Sequence, residues 1–141
     1  MKTLALFLAA FAVTAQDAAQ LANEKAFEER MKGVTLVGYS TRLDREGTFG
    51  PERYKIDSVA KSSGETWVFK TRMTHQGKEI PVSFPITIKW AGKAPVITLE
   101  DFTIPGFGTW TAHVVLSGNQ YAGTWSGKSG GGQMYGKIVK E

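Results

Sequence analysis

Residues 65 to 90 contain the pattern that most restricts the fold: apolar and polar residues alternate on both sides of a Gln76-Gly77 turn. In an antiparallel hairpin the numbers of paired residues have a constant sum, and successive side chains point to opposite faces. A two-residue turn therefore places four pairs on one face: Trp67 with Ile86, Phe69 with Phe84, Thr71 with Val82 and Met73 with Ile80. The other face carries charged and hydroxyl-bearing residues, so the pattern predicts a hairpin with one buried face.

The tripeptide Gly-Thr-Trp occurs at 108–110 and again at 123–125. A turn at Gly118-Asn119 between the two copies makes one face continuous, and that face holds Trp110, Ala112, Val114, Leu116, Tyr121, Gly123 and Trp125. The two copies are therefore the arms of one hairpin and not a repeated binding motif. We expect the two tryptophans to be diagonal neighbours, with Ala112 and Gly123 leaving room for their rings.

Turn signals at short intervals after Gly33 predict eight strands. These are residues 34–41, 52–60, 65–75, 78–90, 94–101, 109–116, 120–126 and 133–139. Turns centred on Ser62-Ser63 and Ala91-Gly92 give further pairs: Tyr54 with Thr71, Ile56 with Phe69, Ser58 with Trp67, Ile97 with Ile86 and Leu99 with Phe84.

Two prolines, Pro81 and Pro85, have the same parity in the strand 78–90. Their amide positions point away from the strand 65–75, so neither proline interrupts the first ladder. On the other side they remove two hydrogen-bond donors. We therefore expect pairing with the following strand to be weak or absent around residues 81–85.

One apolar face continues through the predicted hairpins. Its members are Tyr54, Ile56, Trp67, Phe69, Met73, Ile80, Val82, Phe84, Ile86, Ile88, Trp90, Leu99, Trp110, Val114, Leu116, Tyr121 and Trp125. Consecutive antiparallel strands with one apolar face are typical of an up-and-down barrel. The sequence thus predicts a mainly β fold: an eight-stranded antiparallel barrel, or a strongly curled meander sheet, with one short N-terminal helix.

The chain begins with a lysine at position 2 and an apolar run over 4–13, which is typical of a secretory signal peptide. The run is too short for a spanning helix, which needs about 20 apolar residues. We expect cleavage before Gln16, with a cut after Ala12 as the alternative. The predicted organisation is a signal peptide over 1–15, an N-terminal helix with its lead-in over 16–33, capped by Asp17, and a single antiparallel β domain over 34–141. The mature chain would then be periplasmic or extracellular.

Composition excludes several classes of function. The 141-residue chain has no cysteine, which excludes disulfides, cysteine nucleophiles and cysteine metal ligands. The net charge of +4 comes without a lysine or arginine cluster, so no nucleic-acid partner is expected. No second hydrophobic segment reaches the length of a membrane span, and the mature chain is therefore expected to lack an integral membrane segment.

No catalytic or metal-binding constellation is visible. His75 and His113 lie on different hairpins without a carboxylate at ligand spacing, so no metal is expected. Glu100 and Asp101 are neighbours on a strand and point to opposite faces; Asp101 is interpreted as an acid that initiates a turn where the strand ends. The glycine-rich segment 127–132 lacks the first glycine of a phosphate loop and precedes a strand. We expect no cofactor and no enzymatic activity.

A leader, one short helix and a meander of eight strands resemble the lipocalin and calycin group. That resemblance implies a secreted barrel that carries an apolar ligand or acts as an inhibitor. The chain departs from the group's Gly-x-Trp motif, since Gly38 is followed directly by Tyr39, and it lacks the group's disulfides. The stretch 101–138 is closer in sequence to a family of small exported bacterial proteins with no assigned activity, and this likeness implies nothing about chemistry.

The aromatic residues of the inward face, together with the apolar loop 102–108, are the candidate ligand-binding residues. They are Trp67, Trp90, Trp110, Trp125, Tyr54, Tyr121, Phe102, Ile104 and Phe107. An eight-stranded barrel is only wide enough to be filled by side chains or to hold one small ligand.

The leading hypothesis is a non-enzymatic module that binds an apolar or aromatic small molecule. The alternatives are a structural or protein-interaction domain of the cell envelope with a filled core and, third, a hydrolase. The loop is interpreted either as a lid or partner contact, or as a plug of the barrel end.

Overall fold

A computed structural model describes residues 12–75 and 77–141. It contains the helix α1 (Ala15–Arg30) and the strands β1 (Val34–Arg42), β2 (Arg45–Ser63), β3 (Thr66–His75), β4 (Lys78–Ala91), β5 (Ala94–Ile104), β6 (Gly108–Ser117), β7 (Gln120–Gly127) and β8 (Gly130–Lys140). Each strand pairs antiparallel with the next, and β8 pairs with β1. The predicted eight-stranded up-and-down barrel is confirmed in its closed form.

The two hairpins with the clearest alternation have the predicted register. Trp67 pairs with Ile86 and Phe69 with Phe84 across β3 and β4, on either side of a turn whose Gln76 lies outside the described residues. Across β6 and β7, Ala112 pairs with Trp125, as predicted. The ladder between β4 and β5 ends at Thr87 and Thr98, so the expected loss of pairing around 81–85 is also confirmed.

Two predicted registers are wrong because the turns lie at glycines in the left-handed region. Gly64 (φ 54°) forms the β2–β3 turn with Glu65, and Gly92 (φ 63°) forms the β4–β5 turn with Lys93. Ile97 consequently pairs with Ile88 instead of Ile86. In β4–β5 this two-residue shift leaves each side chain on its predicted face, so the correction there changes the partner but not the core.

A β-bulge between Ile56 and Ser58 changes the β2–β3 register further. It lets both Ile56 and Val59 point inward, and both are buried. Phe69 therefore pairs with Val59, which the predicted inward face omits, and not with Ile56. The extra residue of a bulge is invisible to a strict alternation.

Three strands, β2, β5 and β8, extend three or more residues beyond a predicted end. β1 and β2 form one hairpin with a tight Leu43-Asp44 turn, where a longer connection was expected. β5 continues past a bulge at Asp101 (φ 47°) to Ile104, so Asp101 does not mark the strand's end. β8 begins at Gly130 because its glycines allow a close approach: a Cβ on Gly132 would lie 1.8 Å from the carbonyl oxygen of Thr41.

The helix α1 begins one turn earlier than its predicted cap. Thr14, and not Asp17, is the N-cap: its hydroxyl oxygen accepts from the Asp17 amide at 3.2 Å, and the Asp17 carboxylate accepts from the Thr14 amide at 3.2 Å. This reciprocal pair is a capping box. Gly33 (φ 63°) then turns the chain from the helix into β1.

The helix closes one end of the barrel. Phe27 is buried and packs edge-to-face against Trp67 at 5.1 Å and Trp90 at 5.9 Å between ring centroids. Arg30 of the helix donates to the Gly118 carbonyl oxygen in the β6–β7 turn at that same end. The buried core fills this half: Phe27, Met31, Val34, Leu36, Ile56, Val59, Trp67, Phe69, Ile86, Ile88, Ile97, Val114, Leu116, Tyr121 and Ile138.

Candidate functional site

A cavity of about 540 Å³ occupies the barrel end opposite the helix. Arg42 and Arg45 of the β1–β2 turn and Phe107 of the β5–β6 turn contribute to its mouth. The remaining lining residues are Ser40, Phe49, Glu52, Tyr54, Met73, Leu99, Ile104, Trp110, Thr111, Ala112, Trp125 and Met134. The barrel is therefore half filled and half hollow.

The structure brings five of the nine predicted ligand-binding residues to this cavity: Tyr54, Ile104, Phe107, Trp110 and Trp125. The segment 102–108 ends β5 in a tight turn, with the Phe107 amide donating to the Ile104 carbonyl oxygen at 2.9 Å. Ile104 and Phe107 thus form part of the wall near the mouth and do not plug the barrel end. Their role in ligand binding stays a prediction.

The other four predicted residues lie away from the cavity. Trp67 and Tyr121 are buried in the core, and Trp90 packs on Phe27 at the closed end. Phe102 contacts Phe84 at 5.7 Å between ring centroids. That contact lies where the β4–β5 ladder has ended, so Phe102 helps to close the wall of the barrel.

The two cavity tryptophans are in contact, with ring centroids 6.0 Å apart and planes at 58°. The indole N–H of Trp110 donates to the Phe107 carbonyl oxygen at 2.9 Å, which fixes that ring. A Cβ on Gly127 would lie 2.7 Å from the Trp110 ring, whereas a Cβ on Gly123 would meet the His113 carbonyl oxygen at 2.0 Å. The glycine that makes room for a ring is therefore Gly127; Gly123 allows two backbones to approach.

A carboxylate with two hydroxyl partners lies in the cavity wall. Ser40 donates to Glu52 Oε1 at 2.6 Å, and Tyr54 donates to Glu52 Oε2 at 2.9 Å. Burial, together with the charge of Glu52, raises the pKa of Tyr54 above its ordinary value and raises the pKa of Tyr121 to about 12. Both phenols are protonated at neutral pH, and Tyr54 is thus a hydrogen-bond donor to the carboxylate.

Sequence reasoning missed Ser40 and Glu52. Gly38 and Glu52 pair across β1 and β2, but two bulges interrupt that hairpin further on. Gly47, Gly50 and a proline also make the segment look like an open loop. The available signal was the position of Glu52, which begins the predicted strand 52–60 and, two residues before Tyr54, has the parity of the inward face.

The arginines at the mouth have partners of their own. Arg42 binds Asp44 through two hydrogen bonds of 2.9 Å and donates to the Ser129 carbonyl oxygen at 2.6 Å. The Arg42 guanidinium holds the pKa of the Asp44 carboxyl at about 2. Arg45 lies 5.4 Å from the centre of the Phe49 ring. The contact with Ser129 connects the β1–β2 and β7–β8 turns across the mouth.

His113 lies on the outer face, as predicted, and pairs with Thr124. The sequence showed no carboxylate at ligand spacing from His113, but in the structure Glu100 Oε1 is 2.6 Å from His113 Nε2. Both Glu100 and Asp101 are exposed, because the bulge in β5 interrupts the alternation that would have pointed them to opposite faces. Within 12–75 and 77–141 no group of three His, Cys, Asp or Glu side chains is arranged to hold a metal. The side chain of His75 lies outside the described residues.

No protein-family model and no curated protein sequence matches this chain. The likeness of 101–138 to an exported bacterial family therefore stays a prediction. In the part of the chain that the structure describes, no helix has both the length and the hydrophobicity of a membrane span. The closed eight-stranded antiparallel barrel with one short helix is consistent with a lipocalin-like fold.

Proposed function

We propose that this chain is an exported, non-enzymatic protein that binds one small apolar or aromatic molecule in the cavity of its barrel. The observation that carries the proposal is the hollow half of the barrel, about 540 Å³ and opposite the helix-covered core. This volume lies within the ~300–1,000 Å³ of small-molecule sites. A structural domain with a filled core would have no such space.

The lining supports an apolar or aromatic ligand. Trp110, Trp125, Phe107 and Tyr54 present aromatic surface, and Met134 adds a flexible thioether. Aromatic pairs in offset or tilted contact are worth about 0.5–1.5 kcal/mol beyond the area they bury. A flat ring in the cavity would gain such contacts with the tilted tryptophan pair.

The positions of the polar groups support a non-enzymatic role over the hydrolase alternative. Ser40, the serine of the cavity wall, donates to Glu52, while His113 lies on the outer face against Glu100. A serine nucleophile is commonly activated by a histidine base, and among the described side chains the histidine, His113, is not the partner of Ser40. The interaction-domain alternative is favoured by one separate observation: Tyr39 and Tyr135 are exposed on the outer face of β1 and β8, with ring centroids 6.3 Å apart.

A titration with N-phenyl-1-naphthylamine, a neutral apolar fluorophore, tests cavity binding. The wild-type protein is expected to bind one probe per chain. Ala112→Phe adds a ring inside the cavity and is expected to weaken binding at least tenfold, equal to about 1.4 kcal/mol. Ala122→Phe is the matched control because Ala122 is exposed on the outer face of β7. Equal affinities for the two variants, or no binding by wild type, would count against the proposal.

Export is supported by the basic start and the apolar run over 4–13. We expect N-terminal sequencing of protein from the periplasm of a Gram-negative host to read from Gln16. A cut there removes the capping threonine Thr14 from α1, whereas a cut after Ala12 keeps the capping box. Exported protein that begins at Val13 would select the alternative cut, and exported protein with intact Met1 would contradict processing.

A further inference from the structure

We infer that the cavity selects a ligand with a protonated amine, that is, an aromatic or apolar ammonium whose cation binds Glu52; this inference rests on the proposed binding function. Glu52 is the one carboxylate among the described residues that line the cavity. Its two oxygens accept from the hydroxyls of Ser40 and Tyr54. A carboxylate can accept about four hydrogen bonds, so these two leave capacity for a ligand donor.

The charge of Glu52 has no cationic partner in the described part of the chain. Each ion pair there involves another acid: Glu24, Asp44, Asp57, Glu65, Glu79, Glu100 or Glu141. Ser40 and Tyr54 are neutral donors, so among the described residues no cation within 4 Å balances the negative charge. A ligand ammonium would supply the missing charge, and charge-assisted hydrogen bonds are about twice as strong as neutral ones.

Arg42 at the mouth does not offer the same opportunity to an anionic ligand. Both hydrogen bonds between Arg42 and Asp44 use the guanidinium fork, and Asp44 is also 3.7 Å from Arg45. An anion would have to displace Asp44 from Arg42. A cation at Glu52 displaces no charged group.

The aromatic wall is suited to the same ligand. Tyr54, which binds Glu52, shares the cavity with Trp110, Trp125 and Phe107. A cation within about 6 Å of an aromatic ring centre is attracted to its face, most strongly for tryptophan. A carboxylate that shares its cavity with aromatic rings therefore favours an ammonium over a neutral molecule of the same shape.

Three probes with the same ring system test the inference by isothermal titration calorimetry at pH 7. They are 2-(1-naphthyl)ethylamine, 2-(1-naphthyl)ethanol and 1-naphthylacetic acid. The wild-type protein is expected to bind the amine at least tenfold more tightly than the alcohol, and the acid most weakly. In Glu52→Gln, which keeps the size of the side chain, the advantage of the amine over the alcohol should fall to within about threefold.

Two variants serve as controls. Glu100→Gln removes one negative charge from the outer face, and the amine should keep its advantage there. Glu28→Gln removes one negative charge from the exposed surface of the helix, at the opposite end of the barrel, and the advantage should also persist there. If Glu52→Gln fails to fold, the comparison of the three probes on wild type still decides.

Equal affinity of wild type for the amine and the alcohol, tightest binding of the acid, or an undiminished preference in Glu52→Gln would overturn the inference while leaving cavity binding intact. Failure of all three probes, together with the neutral fluorophore, would overturn both proposals.

Discussion

Trp67→Ala is expected to lower the free energy of unfolding by about 3–5 kcal/mol, the range for a large aromatic side chain removed from a packed core. Trp67 is 1% exposed and packs edge-to-face against Phe27 of the helix. Trp125→Ala should cost less than half as much, because the Trp125 side chain already borders empty space. Removing the Trp125 ring enlarges an existing cavity, and it deprives fewer neighbouring side chains of contacts than removing the Trp67 ring does.

Guanidinium denaturation with an unchanged m-value measures both losses. Binding of N-phenyl-1-naphthylamine provides the second readout: Trp125→Ala should weaken it about tenfold or more, whereas folded Trp67→Ala should retain it. Equal destabilisation by the two substitutions would mean that the interior is packed equally at both ends of the barrel. That result would contradict a barrel that is hollow at one end.

Gly123→Val is expected to destabilise the barrel by about 1–3 kcal/mol or more, as overpacking does. The added Cβ would lie 2.0 Å from the His113 carbonyl oxygen and 2.7 Å from the Val114 Cα. These are backbone atoms of the paired strand and cannot rotate away, so β6 and β7 would have to separate. The obstruction is thus the neighbouring backbone, and not the tryptophan rings that the sequence suggested.

Thr124→Val is the control for this prediction. Thr124 is the next residue of β7, is exposed and points to the outer face, so its replacement should change stability by no more than about 0.5 kcal/mol. Thermal unfolding of the two variants tests the register directly. A damaging Thr124→Val beside a harmless Gly123→Val would show that the faces of β7 are reversed.

The alternation of apolar and polar residues correctly predicted the register of the two hairpins whose strands contain no bulge. In β3–β4 and β6–β7 a two-residue turn joins strands without bulges, and the pairs follow from the residue numbers. The bulges after Ile56 and Leu99 add a residue to one strand only, so a rule based on parity places the following residues wrongly. For this reason the predicted inward face omits Val59.

The division of the aromatic residues between core and cavity could not be predicted from parity either. Alternation determines the face of a strand to which a residue points but not its height along the barrel axis. Trp67 and Trp110 share the inward face, yet Phe27 covers the first and open space borders the second. That difference depends on where the helix docks, which is a tertiary contact between residues far apart in sequence.

The most direct test of the proposed cavity binding is a mass-spectrometric search for small molecules that co-purify with the native protein. Ala112→Phe, purified in parallel, provides the background because its added ring occupies the binding space. We expect one apolar or aromatic compound in near-equimolar amount with wild type and strongly depleted from the variant. Identical extracts from the two proteins, with no compound enriched in wild type, would contradict a ligand-binding barrel.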